Sequence, residues 1–358
     1  MSKLGVGFIG CGRIMDLNIL GYLDRDDVRV AAFCDTSEDT LKARVERYGS
    51  AETYVDYHHL LADPAVDIVE VLTPHHLHHR MVLDSLAAGK HVSIQKPPAV
   101  NMEEMDSMVT AADDAGTKLR VFENFIFYPP YLKAKELLVS GEIGEPVGLR
   151  MKMCSSLAPS GWEVPLESWA WRAVEDMCGG GPCLFDDGYH KWSVAIDLLG
   201  EVEKVFAWIG AKEMIPGISV DAPAIVTWRY RGERDLFGVC DEMICNELHI
   251  ESDYYAIDER LEVTGEKGVI WVLKWTADML KVPPVLMYRD GEMTRFDDMP
   301  QDWGDSFRDS THQFIDAIKN DTEPVLSPRM GREVLKFNLA ILRSAEEKRE
   351  VHLDEFER

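Results

Sequence analysis

The first third of the chain alternates short apolar runs with segments whose apolar residues recur at helical spacing. Residues 6–9, 28–34 and 91–94 form such runs, and each one predicts a buried strand of a parallel sheet. Segments between the runs, such as 13–23 and 102–115, carry apolar residues three and four positions apart, which predicts helices. This alternation predicts a doubly wound parallel sheet with helices on both faces.

The pattern changes after about residue 123. One helix is predicted at 130–140, and the strand-like segments that follow it are separated by turn residues such as Arg231-Gly232. These segments are 147–153, 202–209, 225–230, 236–250, 260–264 and 268–273. They predict an open, mainly antiparallel sheet, and two closing helices are predicted at about 305–320 and 329–348. We therefore expect an α/β protein of two domains, 1–122 and 123–358, with the closing helices returning toward the first domain.

Composition and charge narrow the classes of function. With 358 residues, 46% of them hydrophobic and 28% charged, the chain has the composition of a soluble globular protein. It contains no apolar run long enough for a membrane span and no basic-plus-apolar leader, so we expect a cytoplasmic protein. A formal charge of −25 disfavours nucleic acid and anionic membranes as partners, and it suits a small neutral substrate. The seven cysteines are scattered, which indicates reduced thiols rather than a zinc site.

A glycine-containing loop follows the first predicted strand. The run GCGRI at residues 10–14 fills the first two glycine positions of the dinucleotide-binding fingerprint, with Met15 in the third. Asp35 follows after about twenty residues, at the end of the second strand. A carboxylate there accepts hydrogen bonds from an adenosine ribose and repels a 2′-phosphate, so the pattern favours NAD over NADP. The alternatives are a plain turn at the loop and an ordinary helix N-cap at Asp35.

Further motifs stand later in the chain. Thr73-Pro74 and Gln95-Lys96-Pro97 each end a predicted strand, and a triple glycine at 179–181 precedes Asp186 and His190. In this order and spacing, over nearly the whole chain, the sequence resembles the glucose-fructose oxidoreductase and inositol dehydrogenase (GFO/IDH/MocA) family. The resemblance implies an N-terminal Rossmann domain that binds NAD, followed by an α/β domain for substrate binding and oligomerisation. It also implies a homodimer or homotetramer formed through the open sheet.

The resemblance also assigns roles to individual residues. The implied catalytic residues are Lys96, Asp186 and His190. The implied cofactor contacts are Gly10, Gly12, Arg13, Ile14, Asp35, Thr73, Pro74, His75, His78, Gln95 and Lys96. The candidate substrate contacts are Lys96, Glu123, Asn124, Tyr128, Arg172, Asp186, Asp187 and His190. The sequence departs from the family pattern at Gln95, where a glutamate is usual, and at His75, where an asparagine is commoner.

The chemistry of these residue types fits oxidation of a carbinol carbon. Removal of hydride also requires the hydroxyl proton to leave, so the site needs a base and a group that steadies the developing charge on oxygen. We expect His190 to be the base, and Lys96, at the carboxyl end of a parallel strand, to bond the reacting oxygen. If 185–199 is a helix, Asp186 shares a face with His190 and can orient it. The sequence therefore predicts an NAD-dependent dehydrogenase that acts on a sugar, cyclitol or related polyol.

Other interpretations are compatible with the same residues. A relative that holds NAD tightly and oxidises a sugar carbon only transiently would be a glycosidase or lyase, and a non-catalytic dinucleotide-sensing regulator would use the same scaffold. The tract of His75, His76, His78 and His79 suggests a metal site. No carboxylate or cysteine ligand lies near it in the sequence, so we expect no metal. Five aromatic residues either stack on a sugar ring or pack in the core, namely Trp162, Trp169, Trp171, Tyr189 and Trp192.

Overall fold

A computed structural model describes residues 3–158, 160–162 and 164–357. Its N-terminal elements alternate strand and helix. They are β1 (Leu4–Ile9), α1 (Met15–Asn18), α2 (Leu20–Leu23), β2 (Val28–Cys34), α3 (Glu38–Tyr48), β3 (Glu52–Tyr54), α4 (Tyr57–Ala62), β4 (Ile68–Val71), α5 (His78–Ala87), β5 (His91–Ile94), α6 (Met102–Ala115) and β6 (Leu119–Val121). Polar caps begin the longer helices, since the Ser37 and Asn101 side chains accept the amides of Thr40 and Glu104 at 3.2 and 2.9 Å.

The six N-terminal strands form one parallel sheet in the order β3-β2-β1-β4-β5-β6. Val6, Phe8 and Ile68 on its strands have no exposed surface, as expected of a parallel sheet buried on both faces. The strand order reverses between β1 and β4, and open α/β sheets bind ligands at the carboxyl ends of strands at such a reversal. The glycine loop follows β1 and Thr73-Pro74 follows β4, so the fold places both at this position.

The remaining elements begin with a helix and are then dominated by strands. They are α7 (Pro129–Val139), β7 (Pro146–Ser156), α8 (Leu166–Trp169), α9 (Glu175–Cys178), a π-helical turn (Pro182–Asp187), α10 (Gly188–Leu199), β8 (Val202–Ile209), β9 (Lys212–Ile215), β10 (Ile218–Val220), β11 (Ala224–Tyr230), β12 (Phe237–Cys245), β13 (Ile257–Gly265), β14 (Gly268–Val272), β15 (Val285–Arg289), β16 (Glu292–Phe296), α11 (Trp303–Asn320), α12 (Pro328–Glu347) and β17 (Val351–His352). No helix among the described residues is long and apolar enough to cross a membrane.

Nine of the later strands form a mixed sheet in the order β16-β15-β14-β13-β7-β12-β11-β8-β17. Neighbouring strands are antiparallel except β7 and β12, which run parallel. Burial alternates along β12, so one face of the sheet packs inward and the other is open. Trp192 lies on the inner side, where its ring packs against Trp228 and Phe337 at 6.1 and 5.2 Å. The predicted fold class, a parallel sheet followed by an open and mainly antiparallel one, is confirmed.

The chain forms two compact units, each built from several segments. The first comprises Met1–Asn124, Leu166–Gly179 and Phe307–Leu335, and it holds the parallel sheet. The second comprises Phe125–Pro165, Gly180–Ser306 and Lys336–Arg358, and it holds the mixed sheet. The predicted division of the chain after residue 122 stays a prediction. The two compact units described here each include segments from distant parts of the chain.

Three predicted elements differ from the structure. The helix expected at 13–23 is two short helices with Ile19 between them. The strand expected at 236–250 ends at Cys245, because Asn246 and Glu247 bend the chain although apolar residues continue beyond them. The helix expected at 185–199 begins at Gly188, and Asp186 lies in the π-helical turn before it.

Candidate functional site

The glycine loop lies between β1 and α1 in the first unit. Gly10 has a φ of +87°, and a Cβ atom there would lie 2.9 Å from the Leu72 carbonyl oxygen, so the position requires glycine. No described atom would lie within 4 Å of a Cβ atom at Gly12, which leaves room for close approach of a pyrophosphate. Met15, in the third glycine position, is buried in the core cluster with Val6 and Phe8. The loop therefore keeps the fingerprint where the ligand would approach and replaces it where the helix packs.

Asp35 directly follows β2 and holds the loop. Its Oδ2 atom accepts the Cys11 amide and its Oδ1 atom accepts the Ser37 amide, both at 2.9 Å. The N-cap of α3 is Ser37, not Asp35. Each carboxylate oxygen has a further lone pair, so acceptor capacity remains for ribose hydroxyls. The geometry thus allows the predicted ribose contact, which stays a prediction.

Arg44, on α3, contacts the glycine loop, and the sequence alone does not identify this contact. Its Nε and Nη2 atoms donate to the carbonyl oxygens of Cys11 and Gly12, both at 2.8 Å. Its Nη1 atom pairs with Asp16 at 2.5 Å, and Asp16 also accepts from Arg13 at 2.6 Å. A single arginine on a helix rich in charged residues carries no distinguishing pattern, so only the fold reveals its role.

The turns after β4 and β5 are joined by His78 in the first unit. The Nδ1 atom of His78 lies 3.0 Å from the Pro97 carbonyl oxygen, and its Nε2 atom lies 2.8 Å from that of Thr73. Burial, reinforced by the nearby His75, lowers the pKa of His78 to about 3 against the opposing effect of these carbonyls. The imidazole is therefore neutral near pH 7 and carries one N–H for its two carbonyl neighbours. His78 ties Thr73-Pro74 to the turn that bears Lys96.

Lys96 stands at the carboxyl end of β5, in the position predicted from the sequence. It is partly exposed, and the Lys96–Pro97 peptide is cis. The side-chain oxygen of Gln95 accepts the backbone N–H of Lys96 at 2.9 Å. The backbone N–H of Gln95 donates to the carbonyl oxygen of Val71 on β4. Gln95 thus fixes the backbone that carries the lysine. An amide side chain suffices for this contact.

His75 packs beneath the segment 166–179 of the same unit. It is 2% exposed, and its Nδ1 atom lies 2.7 Å from the Cys178 carbonyl oxygen. The Trp171 ring meets it edge to face at 4.7 Å, and the Arg172 guanidinium lies 4.4 Å from the Trp171 ring centroid. The cofactor contact of His75 and the substrate contact of Arg172 stay predictions.

The histidine tract makes ordinary polar contacts. The Nδ1 atom of His76 lies 3.4 Å from the Met177 carbonyl oxygen, and the Nε2 atom of His79 lies 2.6 Å from the Ser107 hydroxyl. Within residues 3–158, 160–162 and 164–357, no three His, Cys, Asp or Glu side chains are grouped as metal ligands.

Asp186 and His190 belong to the second unit. Asp186 is 5% exposed and lies in the π-helical turn that runs into α10, which carries His190. The Oδ1 and Oδ2 atoms of Asp221 accept the amides of Cys183 and Leu184 at 2.8 and 2.7 Å, which anchors the start of this turn. Sequence reasoning misses Asp221, because it precedes β11 and stands far from the motif along the chain. The turn that contains Asp186 is therefore held by the carboxylate of Asp221.

The triple glycine before the turn has a steric reason. Gly179 has a φ of +89°, which ends α9 in the left-handed region. At Gly180 a Cβ atom would lie 2.6 Å from the Cβ atom of Phe185, and at Gly181 it would lie 2.0 Å from the Cγ atom of Asp221. The motif is thus required by the close approach of the chain to its own turn and to the carboxylate that anchors it.

The His190 ring is held by stacking. It lies parallel to Phe125 at a centroid distance of 4.1 Å and an interplanar angle of 20°. Phe125 in turn stacks on Trp275 at 5.0 Å and meets Trp303 edge to face at 4.6 Å. These aromatic rings restrict the plane of the imidazole.

Asp187 contributes to a buried charge cluster beside His190. Lys191 lies 3.0 Å from Asp187 and also pairs with Glu259. Burial opposes the charge of Lys191, but the two carboxylates outweigh this effect and raise its pKa, so the side chain stays a cation. Asp187 is therefore engaged within the second unit, and its predicted substrate contact stays a prediction.

The other candidate substrate contacts have little exposed surface. Glu123 and Asn124 are 2% and 1% exposed, and the Glu123 carbonyl oxygen accepts the Ser310 hydroxyl at 3.1 Å. Tyr128 is fully buried, with its hydroxyl 3.3 Å from the Trp275 carbonyl oxygen. The geometry of Tyr128 within its unit supports packing, and substrate contact by these three residues stays a prediction.

Comparison with known families gives two matches. Residues 4–123 match the oxidoreductase family model described by its NAD-binding Rossmann fold, and residues 131–271 match the GFO/IDH/MocA C-terminal domain. The first region contains the glycine loop, Asp35 and Lys96, and the second contains Asp186 and His190. Together they cover most of the chain.

Individual proteins are similar over more than half of the chain. A myo-inositol 2-dehydrogenase of Thermotoga maritima is 29% identical over 359 residues, an alignment that covers 98% of each chain. A D-glucoside 3-dehydrogenase of Escherichia coli is 30% identical over 200 residues, covering 56% of this chain and 55% of the relative. The solved structure of a probable dehydrogenase from Thermotoga maritima is 28% identical with a TM-score of 0.78, covering 99% of this chain and 100% of the other.

Proposed function

Because the chain belongs to the GFO/IDH/MocA oxidoreductase family, we propose that it transfers a hydride between NAD and a hydroxyl-bearing carbon of a sugar, cyclitol or related polyol. The observation that carries this proposal is that the chain has Lys96 at the carboxyl end of β5, Asp186 in the π-helical turn before α10, and His190 in the first turn of α10. Two of its relatives are a myo-inositol and a D-glucoside dehydrogenase, so these substrate classes are the first to test.

The cofactor is NAD, the ligand of the family's N-terminal domain, and the first unit fits it. Gly10 and Gly12 give the tight turn and the open space that a pyrophosphate needs, and Asp35 supplies an acceptor for ribose hydroxyls. When bound, NAD supplies the nicotinamide carbon that accepts or donates the hydride.

We assign the proton chemistry to His190 and the stabilisation of the reacting oxygen to Lys96. The stacked imidazole of His190 accepts the hydroxyl proton, and its orientation is supported by Phe125. The ammonium of Lys96 donates a hydrogen bond to the oxygen whose negative charge develops during oxidation. Asp186, in the turn that leads into α10, orients the imidazole or binds a second hydroxyl. These roles follow the family motif.

The test of this function is a screen for NAD reduction. The protein is incubated with NAD and with aldoses, inositols, sugar acids and neutral glycosides, and absorbance is followed at the NADH band. We expect accumulation of NADH with at least one neutral polyol. Release of a cleaved or eliminated product without NADH would instead indicate transient oxidation. NAD binding without reaction of any compound would indicate a sensor.

Asp35 is expected to set the preference for NAD over NADP. In Asp35→Ser the charge that repels a 2′-phosphate is gone, so the ratio of kcat/KM for NAD to that for NADP should fall roughly ten- to hundredfold. The control is Asp39→Ser, since the side chain of Asp39 is 97% exposed on the following helix. If the unaltered protein uses NADP as well as it uses NAD, the placement of Asp35 at the ribose is wrong.

His190→Ala is expected to lose most of the turnover while still binding NAD. Oxidation by the unaltered protein should accelerate with rising pH as the base loses its proton, and the mutant should lack this limb, with a rate roughly 10²- to 10⁴-fold lower. Replacement of His59, exposed on α4, serves as the control. A mutant that keeps the original pH profile would show that another group is the base, and Lys96 would be examined next.

We also propose a homodimer or homotetramer formed through the open face of the mixed sheet. Trp208 and Ile225 are cross-strand neighbours there and are 60% and 41% exposed, and Phe237 on the next strand is 51% exposed. Large apolar side chains are thus exposed at two places along this face, which favours its coverage by a second copy of the chain. A trough of about 810 Å³ crosses the same face and is lined by Phe206, Arg229 and Phe237 among others.

Light scattering at micromolar concentration tests the assembly. The unaltered protein is expected to show the mass of a dimer or tetramer, and Phe237→Glu should reduce it by burying a charge in the interface. Val139→Glu is the control, because Val139 is 78% exposed and lies on α7, not on a strand of the sheet. A monomeric mass for the unaltered protein would exclude this interface.

The compartment that we propose is the cytoplasm. All seven cysteines are free thiols, six of them buried, and none is joined in a disulfide among the described residues. Reduced thiols are typical of cytoplasmic enzymes.

A further inference from the structure

One guanidinium holds two successive carbonyl groups of the glycine loop. Arg44 donates from Nε to the Cys11 oxygen and from Nη2 to the Gly12 oxygen, both at 2.8 Å. Its side chain is 12% exposed, and Nη1 pairs with Asp16, which is 5% exposed. These contacts come from α3, so a helix outside the fingerprint fixes the conformation of the fingerprint.

The direction of these carbonyls determines the direction of the neighbouring amides. In a trans peptide the C=O and N–H bonds point to opposite sides. The cis peptides of the described chain are Lys96–Pro97 and Ala222–Pro223, so both loop peptides are trans. With the Cys11 and Gly12 oxygens turned toward Arg44, the N–H groups of Gly12 and Arg13 point away from it.

Asp35 takes the preceding amide of the same loop. Its Oδ2 atom accepts the Cys11 N–H at 2.9 Å, so that donor is used within the protein. Asp35 thus accepts the Cys11 amide, and Arg44 donates to the Cys11 and Gly12 carbonyl oxygens. The next two amides along the chain stand beside Gly12, where a Cβ atom would meet no described atom within 4 Å.

From this geometry we propose that Arg44 is a positioning residue that orients the amides of Gly12 and Arg13 toward the pyrophosphate of NAD. The amides are set before the cofactor arrives, so binding does not have to order them. All three nitrogen atoms of the guanidinium are engaged, two of them with the carbonyl oxygens and the third with Asp16. Arg44 therefore supports the pyrophosphate site through the backbone and does not serve as a receptor for a 2′-phosphate.

The variant that tests this role is Arg44→Met, with Arg47→Met as its matched control. Arg47 lies on the same helix and also pairs with Asp16, at 3.0 Å, but it is 54% exposed. Calorimetry gives the dissociation constants of NAD and ADP-ribose, which contain the pyrophosphate. The dissociation constant of adenosine, which lacks the pyrophosphate, is obtained by letting adenosine displace ADP-ribose. No substrate is present, so the result is independent of the proposed reaction.

We expect Arg44→Met to raise the dissociation constants of NAD and ADP-ribose roughly ten- to hundredfold, with less than about a twofold change for adenosine. Arg47→Met should change each constant by less than about twofold. With a substrate found in the screen, KM for NAD should rise while kcat at saturating NAD stays within about threefold. Arg44→Lys keeps the charge but can bond only one carbonyl, so its dissociation constants for NAD and ADP-ribose should lie between those of Arg44→Met and Arg47→Met.

Two results would overturn the proposal. One is unchanged affinity for ADP-ribose in Arg44→Met. The other is an equal loss of affinity for adenosine and ADP-ribose, which would show general damage to the unit rather than a change at the pyrophosphate. Should Arg44→Met fail to fold, Arg44→Lys and the same three ligands decide between these outcomes.

Discussion

Lys96→Met is expected to lower turnover by roughly 10²- to 10⁴-fold, the usual effect of removing a positioned proton-transfer or electrostatic group. Methionine keeps most of the apolar stem and removes the ammonium, so the rate should fall while NAD affinity changes little. The backbone of Lys96 is held by the Gln95 side chain at 2.9 Å and by the proline that follows, so the turn itself should survive the substitution. Steady-state turnover with the best polyol and NAD binding by fluorescence measure the two quantities separately.

Two further variants sharpen this test. Lys96→Arg should restore little activity, because a guanidinium is wider and does not exchange its proton near neutral pH. Lys118→Met is the matched control, since Lys118 lies at the other end of the parallel sheet, where it pairs with Asp321 at 2.7 Å. Near-normal turnover in Lys96→Met would mean that Gln95-Lys96-Pro97 is a structural turn and that the oxygen is stabilised by another group.

The parallel sheet is the part of the fold that the sequence predicts best. Strand β5 (His91–Ile94) and helix α6 (Met102–Ala115) have the bounds expected from periodicity alone. The ends of α6 are also marked by local chemistry: Asn101 caps its start, and Gly116, with a φ of +66°, ends it. Where apolar period and end signals agree, no information from the rest of the chain is needed.

Several short strands are not predicted, because they lack such agreement. Strand β16 (Glu292–Phe296) is largely exposed, so it has no apolar face that alternates with a polar one. A local signal nevertheless existed: Asp290 and Gly291 both have positive φ values, +55° and +85°, as a two-residue hairpin turn requires. Attention to the Asp-Gly pair would have identified the hairpin of β15 and β16.

The candidate site divides in the same way. Lys96 is found in the short motif at 95–97, and Asp186 and His190 are found in the motif at 179–190, so each residue belongs to one continuous segment of the chain. Arg44 and Asp221 are not found, because each acts on a loop that lies 32 to 38 residues away in sequence. A sequence motif identifies residues that are close together along the chain. Residues such as Arg44 and Asp221, which contact a loop from a distant part of the chain, are brought to it only by the fold.

Arg120→Met is expected to destabilise the first unit by about 3–5 kcal/mol, the cost of leaving one partner of a buried ion pair without the other. Arg120 on β6 and Glu70 on β4 have no exposed surface and lie 3.0 Å apart. The guanidinium also donates to Ser93 at 2.8 Å and to the Ser310 carbonyl at 2.5 Å, which ties α11 to the sheet. Thermal unfolding should show a fall in Tm of roughly 6–20 °C.

The double variant Arg120→Met with Glu70→Leu distinguishes a lost ion pair from lost packing. Burial raises the pKa of Glu70 against the effect of Arg120 and of the Tyr22 hydroxyl, which donates to the carboxylate at 2.5 Å. Removal of the carboxylate as well therefore removes the buried charge that makes the single variant costly, and much of the Tm should return. Arg234→Met, in an exposed pair with Glu145, should shift Tm by no more than about 2 °C. An Arg120→Met protein as stable as this control would show that the buried pair does not hold α11 to the sheet.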